Sequence, residues 1–350
     1  MLISLTVLLS AFFTWLQIRV NSRLGLTAAP RADRWHSVPT PSSGGLAIFL
    51  SCAVAYVLVC PGRYPRVAIA AVALWIFGFV DDLLRLSPRL KIATQIAAAS
   101  FVVLGGLVCH LTPSYPANAA LSIFWIVLIT NALNLVDNMD GLCAGVVIVI
   151  CLFRFSFLNL AGYPTEAELC AVMAAAFAGF LIFNYHPARI FMGDCGSLPA
   201  GFALGALTLV GPNNHPGNAL AGFFYPAFTF AYPIFDTTLV SVLRKLAGRP
   251  ISQGGRDHSS HRLVSRGFNQ RQVVGIVWLL TAFGAGLAMM IQLMAHTWWL
   301  AGALLLSVFS ALAFYLATAP GYPSPVRISG WMQRPSTPSS FRTAPVRPVE

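Results

Sequence analysis

The sequence predicts an all-α, polytopic membrane protein with about eleven transmembrane helices, N-terminus outside, C-terminus inside, and its active site in the cytoplasmic loops. Three observations predict it. Apolar side chains make up 57% of the 350 residues and charged ones 9%, too few polar groups to cover a soluble globule of this length. The apolar residues gather into runs of about 20, the length a helix needs to cross the hydrocarbon core. All eight aspartates (Asp33, Asp81, Asp82, Asp137, Asp140, Asp194, Asp236, Asp257), out of only eleven acids, fall where those runs meet one side of the membrane. Ionisable groups at membrane depth are expensive, so carboxylates gathered on one face read as chemistry rather than solvation.

Taken in order, the first run covers residues 1–20 and lacks the basic n-region of a cleaved signal peptide, so it reads as a retained span. Runs follow at 44–61, opening on Gly44-Gly45, and at 66–82, closing on Asp81-Asp82. The fourth, 91–110, opens at Lys91, and the fifth, 118–136, ends in a segment rich in Asn and Asp. Spans at 142–161 and 166–184 come next, then a short one at 198–212 that opens after Ser197. The ninth, 218–243, leads into a basic loop, and 272–294 and 297–318 complete the set. Residues 1–318 thus make one integral membrane domain. Residues 319–350 are rich in Pro, Ser and Arg without apolar periodicity, and read as a disordered cytoplasmic tail in reach of anionic headgroups. There is no soluble domain, internal repeat or P-loop.

Orientation follows from Lys and Arg, which are retained on the cytoplasmic side of short loops. Starting the chain outside puts Arg19, Arg23, Arg31 and Arg34 at the first inner loop and Arg85, Arg89 and Lys91 at the second. The same assignment puts Arg189 in the fourth inner loop and seven bases between Arg244 and Arg271 in the fifth. Only Arg63 and Arg66 face outward, the outer loops instead hold Glu166 and Glu168, and Arg154 lies inside a span. The seven cysteines lack paired metal-ligand spacing and read as small apolar packing residues; nothing requires Cys60 and Cys109, both near outer helix ends, to pair.

Four inner segments carry candidate chemistry. Asp81-Asp82 closes a hydrophobic helix, where adjacent carboxylates repel unless a divalent metal or the basic cluster behind them, Arg85 first by helical spacing, neutralises them. Asn131, Asn134, Asp137 and Asp140 recur every three residues, one polar stripe if the segment is helical. An Asn stripe alone would serve helix contacts, but two acids in it call for a cavity or a cation. In Phe191-Met192-Gly193-Asp194-Cys195-Gly196-Ser197, glycines flank one acid before a helix start, where backbone N–H groups suit phosphate and Ser197 reads as the N-cap. Finally, Gly254-Gly255-Arg256-Asp257-His258-Ser259-Ser260-His261-Arg262 is a basic loop suited to an acidic ligand such as a nucleotide diphosphate; topogenic charge alone would explain its arginines but not its histidines.

These segments, with Pro88 and Lys91 behind the aspartate pair and the earlier stretch Asp33 to Gly45, resemble in order the polyprenyl-phosphate N-acetylhexosamine-1-phosphate transferases. That family is related to phospho-MurNAc-pentapeptide translocase. The likeness spans roughly residues 30–270 and the family's eleven-helix layout, five motifs on one membrane side. Departures accompany it: Asn138 stands where many members have Gly, Ser43 where Arg is frequent, and Ser260 where the usual His-x-His-His loop has a histidine. The three consecutive histidines of the translocase are absent, which disfavours a pentapeptide-bearing donor.

The resemblance implies transfer of a sugar 1-phosphate, GlcNAc before other sugars, from a UDP-N-acetylhexosamine to undecaprenyl phosphate in the bacterial inner membrane, with Mg²⁺ (or Mn²⁺) and release of UMP. It implies Asp194 as metal ligand, Asp81 and Asp82 at the reacting centre, and Phe191 against uracil. Asn134, Asp137 and Asp140 are then donor-binding, Lys91 a substrate contact, and His258, His261 and Arg262 the diphosphate holders. The lipid bilayer is its medium, a homodimer is compatible with it, and no nucleic acid partner is expected. One anionic phosphate must attack another, so charge neutralisation and alignment dominate. A phosphate monoester with a second pKa of about 6 is mostly dianionic at neutral pH, so Asp81 is needed as a base only if the site raises both pKa values, and a phosphoryl-enzyme route through an aspartate is equally allowed. A transporter would place its polar site near the midplane between repeated halves, and a scaffold would not need the acids.

Overall fold

On the first helix the polar residues point inward and the apolar ones outward, the reverse of a soluble helix. Thr6, Ser10, Thr14, Gln17 and Asn21 are buried along α1 (Leu2–Leu24), while Leu8 and Phe12 are exposed. Such a helix is at ease only in lipid, where its outer face needs no water and its inner face satisfies polar groups. Ser10 Oγ donates to Ala176 O at 2.5 Å and Gln17 Nε2 to Ser43 O at 2.5 Å. The computed structural model describes residues 1–24, 27–28, 40–59, 61–211, 219–251, 255–293 and 298–322. The expected loop motif from Asp33 to Pro39, Cys60, Gly254 and the tail from residue 323 lie outside the described residues.

Among the described residues the chain is all-helical apart from a two-residue antiparallel ladder between β1 (Thr27–Ala28) and β2 (Thr40–Pro41). The further helices are α2 (Gly45–Val59), α3 (Pro65–Leu84), α4 (Pro88–Val103), α5 (Tyr115–Val136), α6 (Leu142–Leu160) and α7 (Pro164–Asn184). After them come α8 (Asp194–Leu207), α9 (Ala219–Thr229), α10 (Ala231–Leu246), α11 (Ser259–Ser265), α12 (Gln270–Leu293) and α13 (Trp298–Ala317). Among the described residues seven helices are long and apolar enough to cross a membrane, which makes this a multi-pass membrane protein; Gly45–Val59 is apolar but shorter.

Three expectations need correction. The run expected at 218–243 is two helices, because Pro233 supplies no N–H to the preceding turn and its ring crowds the carbonyl four residues back, so the chain breaks at Phe230. The polar stripe is helical only as far as Asn134: α5 ends at Val136, and Asp137 to Gly141 form a turn in which Gly141 takes φ 74°. The helix expected from 198 starts at Asp194, so Ser197 is inside it rather than capping it.

The site is positioned by α8, which packs against α3, α5 and α2. Gly45 makes the last crossing possible: a Cβ there would lie 2.2 Å from Gly196 N. Between α2, α3, α7 and α8 an apolar cavity of about 380 Å³ ends at Gly45, Cys195 and Gly196. At the opposite end of the bundle Arg63 Nε and an Arg63 terminal nitrogen donate to Glu166 Oε1 at 3.0 and 2.6 Å, and Tyr64 Oη donates to the same atom at 2.6 Å. Arg154, inside α6, is buried and donates to Leu207 O at the end of α8, a carbonyl that also accepts from Val210 N. Cys109 keeps its thiol on Asn118 O at 3.3 Å as a free cysteine.

Candidate active site

Three aspartates from two helices meet at the α3–α8 contact. Asp81 and Asp82 close α3 because the chain turns sharply behind them: Arg85 takes a left-handed conformation, its N–H bonded to Asp81 O, and Ser87 then opens α4 at Pro88. That turn swings Lys91 back, and its Nζ lies 2.6 Å from both Asp81 Oδ2 and Asp194 Oδ2. The cation that spacing assigned to Arg85 is therefore Lys91, reached through the turn rather than along the helix. Asp81 Oδ1 accepts from Leu86 N at 2.7 Å, and Asp194 Oδ1 accepts from Asn134 Nδ2 at 3.0 Å.

Asp82 does something that neighbouring Asp81 does not. Its Oδ1 accepts from Asp194 N at 2.8 Å and its Oδ2 from Cys195 N at 3.3 Å, so a carboxylate from α3 caps the N-terminus of α8. Gly193 is required beside it, with φ 75° and room for a Cβ only 2.4 Å from Asp82 Oδ2. The loop before α8 is held as firmly: Phe191 N donates to Pro41 O at 2.9 Å, and Gly44 N and Gly45 N donate to Phe191 O and Met192 O at 2.8 and 2.9 Å. Phe191, the expected uracil contact, is thereby fixed by its backbone with a half-buried ring.

The turn after α5 faces the same loop. Asp140 Oδ2 takes His186 Nδ1 at 2.9 Å and Ala188 N at 3.1 Å, and Asn184 braces it by accepting from Gly141 N and donating to Ile190 O. Asn131 donates to Gln95 of α4 and to Val127 O. The i+3 pattern gave no sign of His186 or Gln95 as partners, since one comes from the loop after α7 and the other from α4. Asp137, half-buried, follows the last turn of α5.

The basic loop folds into α11, which is buried rather than solvated. Asp236 of α10 accepts from His258 Nδ1 at 2.8 Å and from Ser259 N at 2.7 Å, fixing the His258 ring. His258 and His261 lie with ring centroids 6.1 Å apart, and burial, then the neighbouring His258, pushes His261 down to about 4. Arg262 donates to Asp257 O at 2.9 Å and Leu316 O at 3.2 Å and lies 4.1 Å over the Tyr322 ring. Arg244 clamps Asp257 with two bonds of 2.9 and 2.6 Å, and this Arg–carboxylate clamp, with its cause in the burial of both groups, was not visible from spacing.

Among the described residues no three His, Cys, Asp or Glu side chains group as metal ligands. Two carboxylate oxygens, of Asp81 and Asp194, do converge on one cationic nitrogen, and paired carboxylates that leave further positions to phosphate and water are the donor set Mg²⁺ favours. These residues fit a divalent cation in the place that Lys91 neutralises.

A family profile described as glycosyl transferase family 4 matches residues 64–211, the stretch from α3 to just past α8. The chain is 34% identical, over 75% of its length and 76% of the relative's, to a probable undecaprenyl-phosphate N-acetylglucosaminyl 1-phosphate transferase of Bacillus subtilis. It is 33% identical to the decaprenyl-phosphate N-acetylglucosaminephosphotransferase of Mycobacterium tuberculosis, over 81% of each chain. A phospho-N-acetylmuramoyl-pentapeptide-transferase of Gloeothece citriformis is 32% identical over 69% of this chain and 72% of its own. By profile and by relatives of matching length, the chain belongs to glycosyl transferase family 4.

Proposed function

We propose that this protein transfers GlcNAc 1-phosphate from UDP-GlcNAc to undecaprenyl phosphate, forming a lipid-linked diphosphate sugar and UMP at the cytoplasmic face of a bacterial inner membrane. The observation that carries the reading is the convergence of Asp81 and Asp194 on a single cation beside the capped start of α8. Relatives named for undecaprenyl-phosphate or decaprenyl-phosphate N-acetylglucosamine phosphotransfer support it, and the missing histidine triplet favours it over a pentapeptide-bearing donor. Eleven spans with the N-terminus outside suit the helix order, with α9 and α10 sharing the broken ninth. The apolar cavity beside the site accords with a lipid-borne acceptor.

The residues divide the work. Asp194, with Asp81, would hold Mg²⁺, or Mn²⁺ in the same oxygen donor set, and the ion when bound would neutralise the transferring diphosphate. Lys91 brings an ammonium to the same point and so lowers the repulsion between the two phosphates. Asp82, with both oxygens on backbone N–H groups, positions α8. Asn134 orients Asp194 from α5, and Phe191, Asp137 and Asp140 frame the nucleoside side of the donor. His258 and His261 face the diphosphate from α11, and Arg262 anchors that helix through the carbonyls it already holds.

Direct in-line attack fits these contacts better than a phosphoryl-aspartate. Each oxygen of the three aspartates already accepts a hydrogen bond or faces an ammonium, which lowers its nucleophilicity, whereas the acceptor phosphate, with a second pKa of about 6, is mostly dianionic at neutral pH. The test is release of labelled UMP by purified protein from a panel of UDP-sugars. Release should require both undecaprenyl phosphate and Mg²⁺ and be greatest with UDP-GlcNAc; release independent of lipid phosphate, or none with any UDP-sugar, overturns the reading. Cysteine labelling in intact cells checks the topology: a probe near Glu166 should react and one near Gly255 should not.

A further inference from the structure

Two of the positions at which the chain departs from the family pattern are bonded to each other. Ser260, fully buried in the first turn of α11, donates its Oγ hydrogen to Asn138 Oδ1 at 2.6 Å, across 122 positions of sequence. The Asn138 amide nitrogen donates in turn to Leu135 O at 2.7 Å. One side chain therefore bridges the end of α5 and the start of α11, the two segments that carry Asp137 with Asp140 and His258 with His261.

The backbone explains why an asparagine is admissible where the pattern has glycine. Among the described residues the non-glycine positions with positive φ are Ser43, Tyr64 and Arg85, so position 138 makes no conformational demand for glycine. With glycine there, the space now filled by the amide would lie open beside position 260 and would admit an imidazole. With asparagine, a hydroxyl is what fits and what finds an acceptor. Glycine plus histidine and asparagine plus serine have nearly equal summed volumes, and volume-conserving exchanges are those a packed site tolerates best.

We propose that Asn138 and Ser260 act as one positioning unit, a hydrogen-bonded pair that together replaces the family histidine absent at position 260 and sets α11 against the donor-side turn. The proposal rests on the transferase reading. Ser260 touches no substrate in this account: its hydroxyl is committed to Asn138, and its effect reaches the donor through the placement of His258 and His261.

The experiment is a double-mutant cycle on the full-length protein, with Asn138→Gly, Ser260→His and the double variant. UMP release is followed against UDP-GlcNAc and against undecaprenyl phosphate, and thermal unfolding is recorded for each protein. Each single change is expected to lower kcat/KM for UDP-GlcNAc at least tenfold, chiefly through KM, with KM for the lipid phosphate unchanged within twofold. The double variant should return to within about threefold of the parent. Losses that multiply in the double variant, or single variants with parental kinetics, overturn the pairing. Ser260→Ala guards against misfolding of the histidine variant: its fold should survive while KM for UDP-GlcNAc rises, and an unchanged KM counts against the proposal. If the parent itself releases no UMP, the transferase reading falls, and the pairing is judged by unfolding alone: a double variant more stable than the sum of the singles upholds it, and additivity overturns it.

Discussion

At one end of the bundle a single carboxylate is matched by one arginine and one phenol, and at the other, of three neighbouring carboxylates, two share one lysine and the third caps a helix. Glu166 at the first end is buried and accepts from Arg63 and Tyr64; burial, then the bond to Glu166, pushes the Tyr64 phenol up to about 12, so it remains a donor. That cluster is balanced and joins the α2–α3 loop to the first turn of α7. Asp81, Asp82 and Asp194 at the second end carry more negative charge than Lys91 answers, and the excess lies partly open, with the Asp194 side chain 22% exposed. Balanced charge holds structure together. Unbalanced charge held in place by the fold is what a cationic centre and an anionic substrate can use.

The largest break in that comparison comes from Asp194→Asn, which keeps the shape but removes the charge. UMP release should fall about 10³-fold, about 4 kcal/mol at the transition state, with monodisperse protein as the control for folding. Glu166→Gln, the matched change at the other end, should leave kcat within about threefold. Full activity of the Asp194 variant at ordinary Mg²⁺ would remove the distinction between the two ends.

Lys91→Met tests whether the ammonium and a divalent cation share a place. Activity should fall about tenfold while half-saturating Mg²⁺ moves to lower concentration, because the competing charge has gone. A shift to higher Mg²⁺ would mean that Lys91 helps to assemble the ion's site rather than occupying it.

Arg63→Ala should cost about 1 kcal/mol of stability, since Arg63 is half-exposed and solvent screens its half of the pair. Transfer rates should stay within about twofold. The smallest effect at neutral pH belongs to His261. Its folded-state value lies near 4 against an ordinary 6.5, so between those values the unfolded chain binds the proton and the folded one does not. Stability present above pH 6.5 is then lost as pH falls toward 4, and His261→Gln should flatten the unfolding midpoint across that window.

Much of the carboxylate end was legible in the chain because covalent proximity and spacing expose it: Asp81 beside Asp82, Asp194 between two glycines, and Asn134 in its stripe. Their meeting point was not. Arg85 is nearer in sequence than Lys91, yet the left-handed turn at Arg85 and the helix start at Pro88 send Lys91 to the aspartates. Equal spacing placed Asp137 and Asp140 on one helix face with Asn134, whereas the turn at Gly141 gives Asp140 to His186. The basic loop read as an open grip for diphosphate, but burial turns Arg262 to backbone carbonyls.

By itself the sequence determined the solvent and the period: apolar runs long enough for lipid, broken by prolines where backbone donors are missing, with acids gathered at one set of helix ends. Those properties are local, fixed by composition and by one residue's effect on its neighbours. Only the tertiary structure decided which carboxylate caps α8, which base answers the aspartates and which residue answers Ser260, because each joins groups from different helices. Hydrogen bonds of this kind are set by where packed helices leave a donor facing an acceptor, and that depends on crossings such as Gly45 on Gly196 rather than on distance along the chain.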